Sequence, residues 1–266
     1  MGVPEQTRSA IVDRLRAAGC VSADEEAELL LAEEKSPDEL ALMVARRVGG
    51  RPLEQVLGWA EFCGLRIALD PGVFIPRRRT ELLAREAIEV ARCHRRPVVV
   101  DLCCGSGAVG AALVAAVSDL ELYATDIDPA AVACARGNLP GESRVLIGDL
   151  CDPLPSPLRG RIDVLVANTP YVPSAAIATL PQEARLHEPR AALDGGPDGL
   201  DVQRRVADGA LGWLAPGGSL LMETSAGQAP DAAEILARAG LSPRVLSSEE
   251  LDATAVAGSA PLLAER

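Results

Sequence analysis

The sequence predicts an α/β protein, a mostly parallel, doubly wound sheet preceded by a small helical domain, and three observations predict it. From about Glu81 onward, apolar strand-like runs alternate with helical patterns, the arrangement that builds a parallel sheet with helices on both faces. One of these runs, Val98-Val99-Val100, enters a glycine-rich turn at 101–110 and then an Ala/Val-rich helical stretch to about Ala116. Polar residues Asp101, Asp126, Asp149 and Asn168 each stand where such a run stops. Ligands of open parallel sheets collect at those carboxyl ends.

Each element can be justified in order. Over 6–49, Leu15, Leu29-Leu30-Leu31, Leu40 and Met43 mark apolar stripes, and Ser22 and Ser36 stand where helix N-caps belong, with acidic residues two or three positions on. This predicts a helical domain over 1–50, ending at Gly49-Gly50. Residues 51–80 read as a connector, with a hairpin between Phe62 and Ile75. The third unit, 81–266, carries the alternating pattern. Strands are expected at Glu121–Thr125, Ser143–Ile147, Val164–Ala167 and Ser219–Glu223, and a helix over Leu200–Leu214 is followed by a turn at Pro216-Gly217-Gly218. Another helix runs from Pro230 to Ala239, its proline in the first turn, where a missing N–H costs nothing. Val245 and the stretch Val256–Leu263 close the sheet.

Composition excludes several function classes. The 266 residues are 48% hydrophobic and 24% charged, enough for a real core and unlike a disordered chain. No apolar run approaches the roughly 20 residues that span a bilayer, and Met1-Gly2-Val3-Pro4-Glu5 lacks a signal peptide's basic start and apolar centre. A cytoplasmic protein without membrane contact is expected. Seven cysteines with no C-x-x-C pairing fit free thiols, and two histidines make a metal site improbable. His187 reads as a surface histidine. The net charge of −12 opposes nucleic-acid binding, and aromatics at 2% leave little to hold a flipped base. Arg77-Arg78-Arg79 is the local exception. It reads as a solvated turn in which Arg77 is placed to reach a cofactor carboxylate or an acidic substrate.

The glycine-rich turn carries cofactor chemistry. Cys103, Cys104, Gly105, Ser106 and Gly107 lead into a helix N-terminus, where a ligand can approach the backbone closely. Asp126 follows at about the 20-residue spacing at which a carboxylate accepts from ribose hydroxyls. Gly105, Gly107 and Gly110 spell G-x-G-x-x-G, a weak signal alone. Asp101 at the strand end favours a cationic cofactor such as S-adenosyl-L-methionine over a pyrophosphate, which a neighbouring carboxylate repels. Asp149 is placed to read the edge of an adenine and Leu150 to pack on its ring.

Asn168-Thr169-Pro170-Tyr171, after the run Val164–Ala167, is the most informative feature. An isolated N-x-P-Y is most simply a strand end and a proline turn. Here it follows a cofactor loop, and its residue types suit a planar nitrogen. A carboxamide nitrogen is a poor nucleophile because its lone pair is delocalised into the carbonyl. The Asn168 side-chain oxygen can accept one of its protons and the Thr169 carbonyl the other, while Tyr171 stacks on the flat group. Pro170 pushes Thr169 toward extended geometry and so presets that carbonyl.

With these residues in view, the chain resembles the protein-(glutamine-N5) methyltransferases of the HemK/PrmC type over nearly its whole length. The matching stretches are R-P-L-E-Q-V-L-G at 51–58, E-F-C-G-L at 61–65, P-G-V-F-I-P-R at 71–77, T-E-L-L at 80–83, the D-L-C-C-G-S-G loop, N-T-P-Y, and E-P-R-A-A-L-D-G-G-P-D-G-L at 188–200. The resemblance implies a class I S-adenosylmethionine-dependent methyltransferase fold, Rossmann-like, with a helical N-terminal domain. It implies a glutamine in a protein, typically a translation release factor, as acceptor. By position, the cofactor contacts fall on Cys103–Gly107, Asp126, Leu150 and Asn168, with the acceptor amide held by Asn168–Tyr171. Two departures stand out. Thr169 replaces the first proline of the usual N-P-P-Y, as in a related subgroup, and Cys103 replaces the loop's first glycine, a tolerable change. Two alternatives remain open at this point: an N-methyltransferase acting on a small molecule or another planar nitrogen, and a protein that binds cofactor or partner without turnover.

Overall fold

The computed structural model describes residues 5–33 and 36–262. Helices α1 (Glu5–Ala17), α2 (Ala23–Ala32) and α3 (Pro37–Val48) bury Leu15, Ala27, Leu30 and Val44 in one cluster with Val56 of the short α4 (Leu53–Leu57). Ser36 caps α3, its Oγ accepting from the Glu39 N–H at 3.2 Å. Ser22 makes no side-chain cap bond. Its φ of −100° and ψ of 44° are not the extended geometry that turns a cap side chain back onto the first turn.

The hairpin falls earlier than expected. Strands β1 (Trp59–Phe62) and β2 (Leu65–Ala68) pair antiparallel, with Phe62 opposite Leu65. Cys63 and Gly64 between them have φ of 50° and 73°, and positive φ at both loop positions matches the strands' twist. Residues 69–77 form no strand, yet Leu69, Val73 and Ile75 are buried.

A seven-stranded sheet follows: β3 (Val98–Leu102), β4 (Glu121–Asp126), β5 (Arg144–Ile147), β6 (Ile162–Ala167), β7 (Leu214–Thr224), β8 (Ser242–Ser248) and β9 (Ala253–Ser259). Its spatial order is β5-β4-β3-β6-β7-β9-β8, parallel from β5 through β7 and antiparallel at β9 and β8. Helices α5 (Glu81–Arg92), α6 (Ala108–Ala116) and α7 (Pro129–Asn138) cover one face. The short α8 (Gln182–His187) lies in the long connection after β6, and α9 (Asp201–Ala210) and α10 (Ala229–Arg238) cover the other face. Along β3 and β6, neighbouring residues point alternately into the two cores: Val99, Val164 and Val166 into one, Val98, Val100 and Leu165 into the other. Burial on both sides is why these strands read as unbroken apolar runs. Successive strands run outward from β3 through β4 to β5 on one side, and from β6 to β7 on the other. The loops after β3 and β6 therefore diverge, which opens a crevice at the strands' carboxyl ends.

Several expected boundaries move. Leu214 already pairs with Ile162, so α9 stops at Ala210 rather than reaching it. The expected turn at 216–218 is an irregularity inside β7, where the register shifts between Ile162 and Val164. A Cβ on Gly218 would lie 2.6 Å from the Ile162 carbonyl oxygen. Strand β9 inserts between β7 and β8, leaving β8 at the edge. The readings at residues 1–4 and Leu263 lie outside the described residues. Among those described, no helix is long and apolar enough to cross a membrane. Arg47 joins the helical part to the rest, donating to Glu26 at 2.6 and 2.9 Å and to Glu183 of α8 at 2.5 Å.

Candidate active site

Tight backbone geometry shapes the loop after β3. Cys103 has φ of 54°, in the left-handed region that favours glycine, and Gly105 has the same φ. Asp126, the last residue of β4, ties this loop down. Its Oδ2 accepts from the Gly105 N–H and its Oδ1 from the Asp128 N–H, each at 2.9 Å. Burial raises its pKa, and those backbone donors oppose the rise. Asp101 is 2% exposed and its Oδ2 accepts from the Gly110 N–H at 3.1 Å. Burial pushes its carboxyl up to about 7.

That shift has a consequence for stability. Between the ordinary carboxylate value of about 3.9 and about 7, the folded chain keeps a proton that the unfolded chain has lost. Stability from this group is therefore greatest at low pH and falls as pH rises through that window. Asp101→Asn, which keeps an oxygen for Gly110, is expected to raise the unfolding midpoint more at pH 8 than at pH 5.5. Parallel thermal melts check it, and an equal effect at both pH values contradicts it.

After β5, Leu150 has φ of 49° and its carbonyl accepts from Thr125 Oγ1 at 2.9 Å. The Asp149 carboxylate accepts from Arg205 at 2.6 Å. Apolar Ile127, 61% exposed just past Asp126, faces the same crevice.

The corner after β6 is held from three sides. Asn168 Nδ2 donates to Thr80 Oγ1 at 3.4 Å, and in this orientation Oδ1 is left as an acceptor. The Tyr171 hydroxyl donates to Glu223 Oε1 at 2.9 Å, and Arg79 Nε donates to the same oxygen at 3.3 Å. Burial, then the Glu223 charge, pushes the Tyr171 phenol well up. Behind the corner, Gln228 Nε2 donates to the Tyr171 carbonyl at 3.0 Å, and the Gly195 N–H donates to the Val172 carbonyl at 2.9 Å. A Cβ on Gly195 would lie 2.7 Å from the Pro170 oxygen. Bare backbone is needed there, a physical reason for glycines in the 194–199 segment. Thr169 is buried, with Oγ1 unpartnered among the described residues.

One cavity of about 280 Å³ takes in these strand ends. It is lined by Asp101, Cys103, Cys104, Gly105, Ser106, Asp126, Asp149, Leu150 and all of Asn168–Tyr171. Four aspartates besides the buried Asp101 line it against two guanidinium groups, a balance that favours a cationic ligand. Two expected residues stand elsewhere. Gly107 does not line the cavity; its missing Cβ lets α6 approach α7, where a Cβ would lie 3.1 Å from that of Ala135. Arg77 also does not line it. Its Nη2 donates to Glu188 at 2.5 Å, and that carboxylate, 0% exposed, needs a cation once buried.

Sequence reasoning missed Phe74, Arg79, Thr80, Ile127, Arg205 and Glu223. Glu223 was within reach, because it sits near the carboxyl end of β7 in series with the other strand-end residues. Both phenylalanines of the chain, Phe62 and Phe74, line the cavity. That clustering appears only once the chain is folded.

A family model described as "Methyltransferase small domain" matches residues 64–198. A release factor glutamine methyltransferase of Geobacter sulfurreducens is 39% identical over 211 residues, covering 77% of this chain and 72% of that protein. One from Bordetella pertussis is 40% identical over 221 residues, covering 80% and 81%. Among solved structures, a methyltransferase from Pyrococcus furiosus shares the fold, with a TM-score of 0.55 at 16% identity, covering 82% of this chain and 98% of that one. With strand-end acids, glycine-rich loop and N-x-P-Y corner in one cavity, the chain belongs to the release factor glutamine methyltransferase family, whose members are S-adenosylmethionine-dependent enzymes.

Proposed function

We propose that this protein methylates the side-chain amide nitrogen of a glutamine in an acceptor protein, with S-adenosylmethionine as donor and a peptide chain release factor as the acceptor that the relatives' names support. One observation carries the reading. The Asn168 amide, 3.4 Å from Thr80 Oγ1, stands in the same cavity as the Asp126-anchored loop.

The residues present fit the donor. Asp126 offers a carboxylate for ribose hydroxyls, Leu150 and Ile127 offer apolar surface for the adenine, and the open backbone of 103–106 admits the methionine portion. The acidic lining suits its positive charge. When bound, S-adenosylmethionine supplies an electrophilic methyl group on a sulfonium.

The chain's own residues do the rest. Asn168 Oδ1 accepts one N–H of the acceptor amide and the Thr169 carbonyl accepts the other, which directs the nitrogen lone pair out of the amide plane and toward the methyl. Tyr171, fixed by Glu223, bounds the slot with its ring. As the N–C bond forms and the S–C bond breaks, positive charge moves onto the nitrogen. Both oxygens then accept from increasingly acidic protons, so they bind the transition state better than the ground state. The methylated nitrogen releases one proton to water. Rate enhancement comes from positioning and from these fixed acceptors.

Incubation with methyl-labelled donor, full-length release factors and cell extract, followed by mass-spectrometric mapping, tests the reading. Label is expected on a glutamine side chain. Transfer only to small molecules would favour the alternative that Thr169 in place of proline keeps in view.

A further inference from the structure

We propose that Arg79 grips the acceptor chain, its guanidinium donating to main-chain carbonyl oxygens beside the target glutamine. The inference rests on the reading of Asn168–Tyr171 as an amide slot. Arg79 lies in the short 3-10 turn Arg78–Thr80, and the next residue, Thr80, is the one that holds Asn168. The same turn therefore places one side chain on Asn168 and its neighbour on the Glu223–Tyr171 pair.

Arg79 lines the cavity with its side chain 49% exposed, whereas its anchor Glu223 is 4% exposed. Its Nε is fixed on Glu223 and its guanidinium carbon lies 5.9 Å from the Tyr171 ring centre. Beyond Glu223 and Tyr171 it has no partner among the described residues, and a guanidinium carries more N–H donors than those contacts use. A fork already fixed in place binds with less loss of side-chain freedom than a free one.

Other arginines near the cavity are committed: Arg77 to Glu188, Arg190 to Asp194 and Arg205 to Asp149. Charge then selects the ligand. Glu223 offsets the Arg79 charge, so a second carboxylate would set two anions on one cation, whereas neutral carbonyl oxygens take the spare donors without that repulsion. An extended polypeptide supplies such oxygens on both sides of the glutamine side chain; a free amino acid brings a carboxylate instead.

The test measures binding of a full-length release factor to the whole chain saturated with S-adenosylhomocysteine, for wild type, Arg79→Lys and Arg79→Met. Loss of the fork is expected to weaken acceptor affinity about tenfold in Arg79→Met and less in Arg79→Lys. In turnover of Arg79→Lys, which keeps a cation for Glu223, KM for the acceptor rises while kcat and S-adenosylhomocysteine affinity hold. Four results overturn the inference: no acceptor binding by wild type; unchanged acceptor affinity in Arg79→Met; a parallel loss of S-adenosylhomocysteine affinity, which puts the guanidinium on the cofactor; or a fall in kcat at constant KM, which leaves Arg79 only a support for Tyr171. Competition by free glutamine that depends on Arg79 overturns the choice of carbonyl over carboxylate. Wild type that binds the acceptor but transfers no methyl group sinks the amide-slot reading, while the binding contrast still decides Arg79.

Discussion

Asn168→Ala is expected to lower methyl transfer by about 10²–10³-fold, the range seen when one fixed hydrogen-bonding partner of a transition state is removed. In the proposed slot the Asn168 oxygen has no substitute: the amide's Nδ2 faces Thr80, and the Thr169 carbonyl is assigned to the other N–H of the acceptor. Without it the amide is held by one bond and can rotate its lone pair away from the methyl. Cofactor affinity is expected to stay within about threefold, because the Asp126 anchor and the loop it holds are untouched. Single-turnover rates at saturating acceptor, with calorimetric titration of S-adenosylhomocysteine, separate the two quantities. Equal losses in both would move Asn168 from the acceptor slot to the cofactor site.

A methyl group at Gly199 should damage the same corner from behind. Gly199 has φ of 82°, and a Cβ there would lie 2.3 Å from the Tyr171 carbonyl oxygen and 2.5 Å from Gln228 Nε2. The left-handed backbone alone costs a side chain about 1–2 kcal/mol, and forced overlap in a packed region adds about 1–3 kcal/mol. Gly199→Ala is therefore expected to lose about 3 kcal/mol of stability and most of its activity, because the hydrogen bond from Gln228 to Tyr171 breaks. Gly64→Ala is the control: φ is 73° but nothing lies within 4 Å of the added carbon, so only the backbone cost of about 1 kcal/mol applies. Denaturant midpoints of both variants decide the matter. Equal losses would show that the close approach to Tyr171 carries no weight.

Legibility followed chemistry more closely than boundaries. The sheet's central strands were readable because burial on two faces leaves an apolar run, and the cofactor loop because left-handed backbone and a helix start demand small residues. Ser22 stands at the N-cap position of α2 without making the cap bond, and the hairpin position and the turn at 216–218 were misplaced, since local patterns do not report cap dihedrals or strand register. Arg77 and Arg79 show the limit well. Two arginines in one basic run look alike in sequence, yet one neutralises buried Glu188 and the other, half-exposed, lines the cavity.

By itself the sequence determined the class of sheet, the order of its main elements and the chemistry available at its strand ends, because periodicity, glycine demand and residue type are local properties written along the chain. Tertiary structure alone decided which groups meet: Glu223 with Tyr171 and Arg79, the 194–199 backbone with the corner, Thr80 with Asn168. Those partners come from segments separated by 52, 144 and 88 residues in the first, second and last hydrogen-bonded cases. Long-range pairing of this kind is set by packing and strand order, which no local pattern encodes.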